Sequence, residues 1–224
     1  MNKRSWVYTT LLLLLATLTQ AQTYDTHRLY FGLDLLRTFP LVFERGYVFE
    51  PSIIYKTNTH TTFDVAVGFN DIRKDELYGN MDYANTGLYY RVGVGQFLFK
   101  ERKKFNDFNL QFGLIYSDFT EKGTIVIEGD NYGDLVDIKK QRNQLFVLEL
   151  QPNYTLPISD RISVNFQVRI NYVVSTPKED QFPLYYVPGA GMMQVFEDND
   201  EGVHNSNRIT EGISIRLLYK FLEL

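Results

Sequence analysis

The sequence predicts an all-β chain, folded as an eight-stranded antiparallel up-and-down transmembrane β-barrel. Three observations carry this expectation. Eight stretches alternate apolar and polar residues at the period of a strand. The connections between them alternate between short and long. Beyond residue 21 no apolar run reaches the length of a membrane-spanning helix, although the chain holds 16 Tyr and 17 Phe. Entry into a membrane would therefore have to be by strands.

The chain opens with Lys3 and Arg4, a short apolar core at Leu11–Leu15 with Ala16, and small residues up to Ala21. That layout predicts a signal peptide over residues 1–21, cleaved near Ala21, because the apolar run is too short to anchor as a helix. Its removal leaves 21 basic against 27 acidic residues, a net charge near −6. Nucleic acid requires a basic footprint and is not an expected partner. There is no cysteine, so packing or membrane burial has to replace disulfides. The three histidines, His27, His60 and His204, are scattered. No metal site and no cofactor are expected.

Residues 22–224 then supply the strands. The first, about 28–38, sets Leu29, Phe31, Leu33 and Leu35 against Gly32 and Asp34. The second, about 47–57, sets Tyr47, Phe49, Ile53 and Tyr55 against Glu50 and Ser52. The third, about 61–70, sets Phe63, Val65, Val67 and Phe69 against Asp64, Ala66 and Gly68. The fourth, about 85–99, sets Leu88, Tyr90, Val92 and Val94 against Gly87, Arg91, Gly93 and Gly95. The fifth, about 107–117, sets Phe108 to Tyr116 against Asn109, Gln111 and Gly113. The sixth, about 143–156, sets Phe146, Leu148, Leu150 and Tyr154 against Glu149, Gln151 and Asn153. The seventh, about 161–175, sets Ile162 to Val174 against Ser163, Asn165, Gln167, Arg169 and Asn171. The eighth, about 209–222, sets Ile213, Ile215, Leu217, Tyr219 and Phe221 against Gly212, Ser214, Arg216 and Lys220.

Most of these reach the roughly 9–11 residues that a tilted strand needs to cross hydrocarbon. Short connections follow strands two, four and six. The long ones, about 39–46, 71–84, 118–142 and 176–208, fall at the other end. In outer-membrane barrels the long loops are extracellular and the short turns periplasmic, so both termini are expected in the periplasm. A soluble barrel alternates too, but with its apolar face inward. Long apolar stripes, aromatics near their ends (Tyr24, Tyr30, Tyr116, Tyr154, Tyr172, Tyr219 and Phe221) and a glycine-rich polar stripe favour the membrane form.

This pattern, over nearly all of the mature chain, resembles small outer-membrane proteins of the OmpA-membrane-domain or OmpX kind. The "QAQ" at the end of the leader, "YFGLDLLRTF" and "DVAVGFND…TGLYYRVGVG" more narrowly resemble an uncharacterised outer-membrane barrel family of Bacteroidota. The resemblance implies an outer-membrane location. Barrels of this class commonly end on an aromatic residue, whereas this chain ends "YKFLEL".

Two groups of residues are candidates for function. The polar stripe carries Asp34, Glu50, Asp64, Arg91, Glu149, Arg169, Arg216 and Lys220. Eight strands enclose a bore just wide enough to be filled by side chains. These charges are therefore expected to pair as a structural network, with Glu149 and Arg169 nearly opposite across one hairpin and Asp34 level with Arg216 across the closing seam. The second group is the run "FPLYYVPGAGMMQVF", where Phe182, Leu184, Tyr185, Tyr186, Val187, Met192 and Met193 could dock envelope proteins or cap the mouth. His204 lies among Asp198, Asp200, Glu201 and Ser206, residue types that a hydrolase uses, but a loop tip offers no fixed geometry. No catalytic residue is assigned. The expected role is a scaffold or accessory subunit of an envelope complex, embedded in outer-membrane lipid. A lipid- or peptide-modifying enzyme and a narrow channel are the alternatives.

Overall fold

The computed structural model describes residues 27–38, 45–57, 61–74, 81–97, 108–127, 134–174, 186–192, 195–197, 204–206 and 208–224. The expected signal peptide lies outside them. So do Tyr24, Phe182, Leu184, Tyr185 and Met193.

In chain order the elements are β1 (Arg28–Asp34), α1 (Leu35–Thr38), β2 (Arg45–Phe49), β3 (Pro51–Lys56), β4 (Thr61–Lys74), β5 (Met81–Phe97), β6 (Phe108–Ile127) and β7 (Asp134–Pro157). They continue with β8 (Ile162–Val173), β9 (Tyr186–Val187), β10 (Gly191–Met192), β11 (Val195–Glu197), β12 (His204–Ser206) and β13 (Ile209–Glu223). β2 and β3 act as one strand interrupted at Glu50 and Pro51. β2 pairs with β4 from Arg45↔Arg73 to Phe49↔Phe69, and β3 resumes on β4 at Ser52↔Ala66. Proline has no N–H to give the ladder, which accounts for the break. Counted so, eight strands pair antiparallel around a closed ring, β1–β3–β4–β5–β6–β7–β8–β13–β1. Closure leaves no sheet edge in the spanning part, as backbone groups away from water require. Leu224 N donates to His27 O and His27 N to Leu224 O, both at 2.9 Å, completing the seam at the end that carries the termini.

The faces are inverted relative to a water-soluble barrel. On β8, Ile162, Phe166, Val168, Ile170 and Tyr172 are exposed, while Asn165, Gln167, Arg169 and Asn171 are buried. The same parity runs round the ring, so the outside is an apolar belt, and the inside is polar except towards the long-loop end. Aromatics in register mark the belt's limits. Towards the long-loop end, Tyr90, Tyr116 and Phe146 are neighbours across β5, β6 and β7. Towards the end with the termini, Phe108, Tyr154 and Phe166 are neighbours across β6, β7 and β8. Phe146 and Tyr154 are eight residues apart on β7, which at about 3.3 Å per residue and a tilt of roughly 40° spans about 20 Å. Such a belt matches hydrocarbon, not water. No described helix is long and apolar enough to cross a membrane, which says nothing of a barrel.

Several boundaries differ from the sequence expectation. β1 stops at Asp34, and Leu35–Thr38 form one helical turn against β13; Leu and Arg favour that conformation once pairing ends. β4 and β5 continue through most of residues 71–84, and β6 and β7 through most of 118–142. Past the aromatic rung the outward residues become polar, as at Asp118, Thr120 and Lys122. The hydropathy signal therefore fades while the backbone ladder goes on, with a bulge between Glu121 and Gly123. Tyr30 is 7 % exposed and shares the lumen parity of Gly32 and Asp34, so it is no part of the outer girdle. Lys56 Nζ sits 5.1 Å over its ring.

Candidate functional site

The lumen is filled in three layers. Nearest the termini, amide and hydroxyl side chains bond one another: Asn109 to Thr62 at 2.8 Å, Gln151 to Gln167 at 2.9 Å, and Asn165 to Thr155 at 2.9 Å. All but Gln151 line a cavity of about 10 Å³, room for about one water.

The middle layer is ionic. Arg91, Arg169 and Arg216 are each 0 % exposed. Arg91 Nη2 donates to Asp64 Oδ2 at 2.8 Å, and its Nη1 reaches Glu149 at 3.4 Å and Gln151 at 3.2 Å. Arg216 donates to Asp64 Oδ2 at 2.6 Å and to Glu50 Oε1 at 2.8 Å. Arg169 donates through Nε to Glu149 and through Nη1 to Glu50 Oε2 at 3.2 Å. The ladder sets Glu149 opposite Asn171, one diagonal step from Arg169, and the long side chains close that step. At the seam Asp34 is directly opposite Arg216, yet Arg216 bonds across the lumen and Asp34 accepts from Ser214 Oγ. Seven of the eight expected charges are thus buried. Lys220 is the exception: it lies at the barrel's lower rim and pairs with Glu223 at 2.6 Å. Lys220 shares the inward parity of Leu218, but it stands too near the barrel end to reach the ionic layer. Lys220 first, and Arg28 at 2.8 Å, hold the Glu223 carboxyl below its usual range.

Tyr89 joins the ionic layer by donating to Glu50 Oε2. Its ring lies over Gly68, its ladder partner, where a Cβ would fall 1.9 Å from the ring. An aromatic at a lumen position opposite a glycine was the available sequence signal for it. Gly113 similarly leaves room for Glu149.

The third layer, at the long-loop end, is apolar: Val48, Ile72, Tyr83, Ile115, Phe119, Leu145, Val147 and Val173. The β9–β10 hairpin drops into it. Val187, Pro188, Gly189 and Ala190 form a turn closed by Ala190 N donating to Val187 O at 2.9 Å. Proline followed by a glycine at φ +85° suits a type II turn. A Cβ on Gly189 would fall 2.8 Å from Tyr89 and 2.9 Å from Ile115, so only glycine lets the tip seat. Asn85 donates to Tyr186 O at 3.0 Å, and Asn171 and Thr210 donate to Ala190 O at 2.8 and 3.0 Å. Glu121 accepts from Tyr83 at 2.8 Å on the same rim. Tyr186 and Val187, expected among docking residues, are therefore buried in the mouth. Met192 is exposed. The proline and glycine marked a turn in the sequence, but not which way it would face.

His204 lies in β12 opposite Glu197 of β11, with Ser206 opposite Val195. Among the described residues no group of His, Cys, Asp and Glu could hold a metal ion.

No family model matches the chain, and no curated protein matches it. Among solved structures, it is similar to Neisserial surface protein A, with 11 % identity over 88 % of this chain and 95 % of that one, at a TM-score of 0.38. It is also similar to the translocator domain of the autotransporter NalP from Neisseria meningitidis, with 9 % identity over 97 % and 96 % of the two chains, at a TM-score of 0.39.

Proposed function

We propose that this chain is an outer-membrane barrel whose lumen is a packed core, and that it serves as a scaffold or accessory subunit of an envelope complex. Its long-loop end faces the cell exterior and both termini face the periplasm. The observation that carries this reading is the occupied bore. Among the described residues three arginines interlock with Glu50, Asp64 and Glu149 across its middle, Asp34 is buried beside them on Ser214, and a hairpin fills its mouth. With the bore filled, interaction falls to the outer rim and loops. The outward apolar belt, bounded by aromatics, supports the membrane setting.

Recordings across planar bilayers are expected to show no steady current; a selective conductance would favour the channel. Cysteines at Lys122 and Asp160, both exposed and at opposite ends, test the orientation. The first should label from outside the cell and the second should not. A pull-down from gently solubilised outer membranes should return fixed partners. A chain that purifies alone under those conditions would remove the scaffold reading.

A further inference from the structure

A groove of about 640 Å³ lies on the outer wall where the apolar belt ends. Tyr90 and Tyr116 line its lower part, Leu88 and Asp118 sit opposite each other one step above, and Thr120 and Arg142 line its upper part. The upper wall is braced. Arg142 donates to Asp118 through Nε at 2.9 Å and Nη2 at 2.6 Å, and Gln144 donates to the same carboxylate at 3.1 Å. The Arg142 side chain is 69 % exposed. Nε and Nη2 are engaged by Asp118, and the rest of the guanidinium belongs to a side chain that is mostly open to the surroundings.

We propose that the groove seats one phosphate-bearing lipid of the surrounding leaflet, its phosphate on Arg142 and the start of an acyl chain over Leu88, Tyr90 and Tyr116. This rests on the membrane reading above. The groove is continuous with the lipid-facing belt, so its lower part meets acyl chains, not water. Its upper part offers a guanidinium, whose planar donors match phosphate oxygens better than a point charge would. Asp118 spends its oxygens on Arg142 and Gln144 and so fixes the direction in which the remaining donors point. The Thr120 hydroxyl lies on the same wall. Free phosphate shares the headgroup chemistry but cannot use the lower half.

The test is native mass spectrometry of the full barrel refolded with phosphatidylglycerol or with diacylglycerol of the same chains. The unmodified protein should retain the phospholipid about tenfold better, the difference made by one charge-assisted contact. Arg142→Gln should abolish the preference and Arg142→Lys should keep part of it. Inorganic phosphate at matched concentration should fail to displace the lipid. Equal retention of both lipids, an unchanged preference in Arg142→Gln, or full displacement by phosphate would overturn the proposal. Protease protection in vesicles scores insertion separately. A barrel that does not insert sinks the membrane reading and the groove together, whereas one that inserts without headgroup preference sinks the groove alone.

Discussion

The middle and the mouth of the lumen are filled by opposite means. The middle layer is built from strand residues alone, each placed by alternation, and held by charge. The mouth layer is largely apolar, with buried Asn85, Asn171 and Thr210 bonding the hairpin, and is completed by a segment that arrives from a loop between the last two strands. A charged layer fixes its own partners, because an unpaired ion in a narrow interior is costly. An apolar layer only needs to be filled, and here a turn of suitable shape fills it. The first arrangement should fail as a unit, the second piece by piece.

The largest expected effect separates the balance of charge from the number of bonds. Among the described residues the ionic layer holds three arginines and four carboxylates. Arg169→Met leaves two against four and should cost about 3–5 kcal/mol. Adding Glu149→Leu leaves two against three, the native excess of one, and should recover much of the loss in urea unfolding. A double variant as unstable as the single one would mean that the bonds, not the balance, matter.

Ile170→Arg adds a charge one residue along the same strand, on the other face. Ile170 is paired with Leu150, midway between the aromatic rungs. The substitution should cost roughly 2–4 kcal/mol in bilayers, as charge at a lipid midplane does, and far less in a detergent that lets water reach the belt. Equal loss in both media would show that the belt is not lipid-facing.

Gly189→Val addresses the mouth. A β-branched residue at φ +85° is strained by about 1–3 kcal/mol and would also strike Tyr89 and Ile115. The hairpin should leave its seat. Hydrogen exchange should then rise at residues 186–192 while the strands around Arg91 and Arg169 stay protected. Exchange rising in both regions would mean that the layers are coupled.

The smallest effect is at the lower rim. The lowered Glu223 carboxyl stabilises the fold above its unfolded value near 4.5, and that contribution fades as pH falls through the folded value. Glu223→Gln should therefore flatten the stability profile below about pH 5, leaving the variant slightly less stable than the native chain near neutrality and equal to it at low pH. A profile identical to that of the native chain would show that the pair contributes nothing.

Legibility in the sequence follows the same division. Alternation assigns Asp34, Glu50, Asp64, Arg91, Glu149, Arg169 and Arg216 to one interior because side-chain direction has a period of two. It assigns no height, so it does not separate Lys220 at the rim from the arginines of the middle. The ends of β4 to β7 escaped because backbone pairing persists where outward residues turn polar. The seating of Val187–Ala190 was not legible at all, since it depends on space left by Gly68, Tyr89 and Ile115 on strands far away in the chain.

The hairpin's anchors lie on opposed walls: Asn85 on β5, and Thr210 on β13, four strands round the ring in either direction. A thin-walled tube of eight strands resists bending along its length better than flattening across it. A tie between opposite sides works against flattening, so the hairpin is a strut as much as a stopper. It holds the mouth round, and with it the spacing of every loop that springs from that rim.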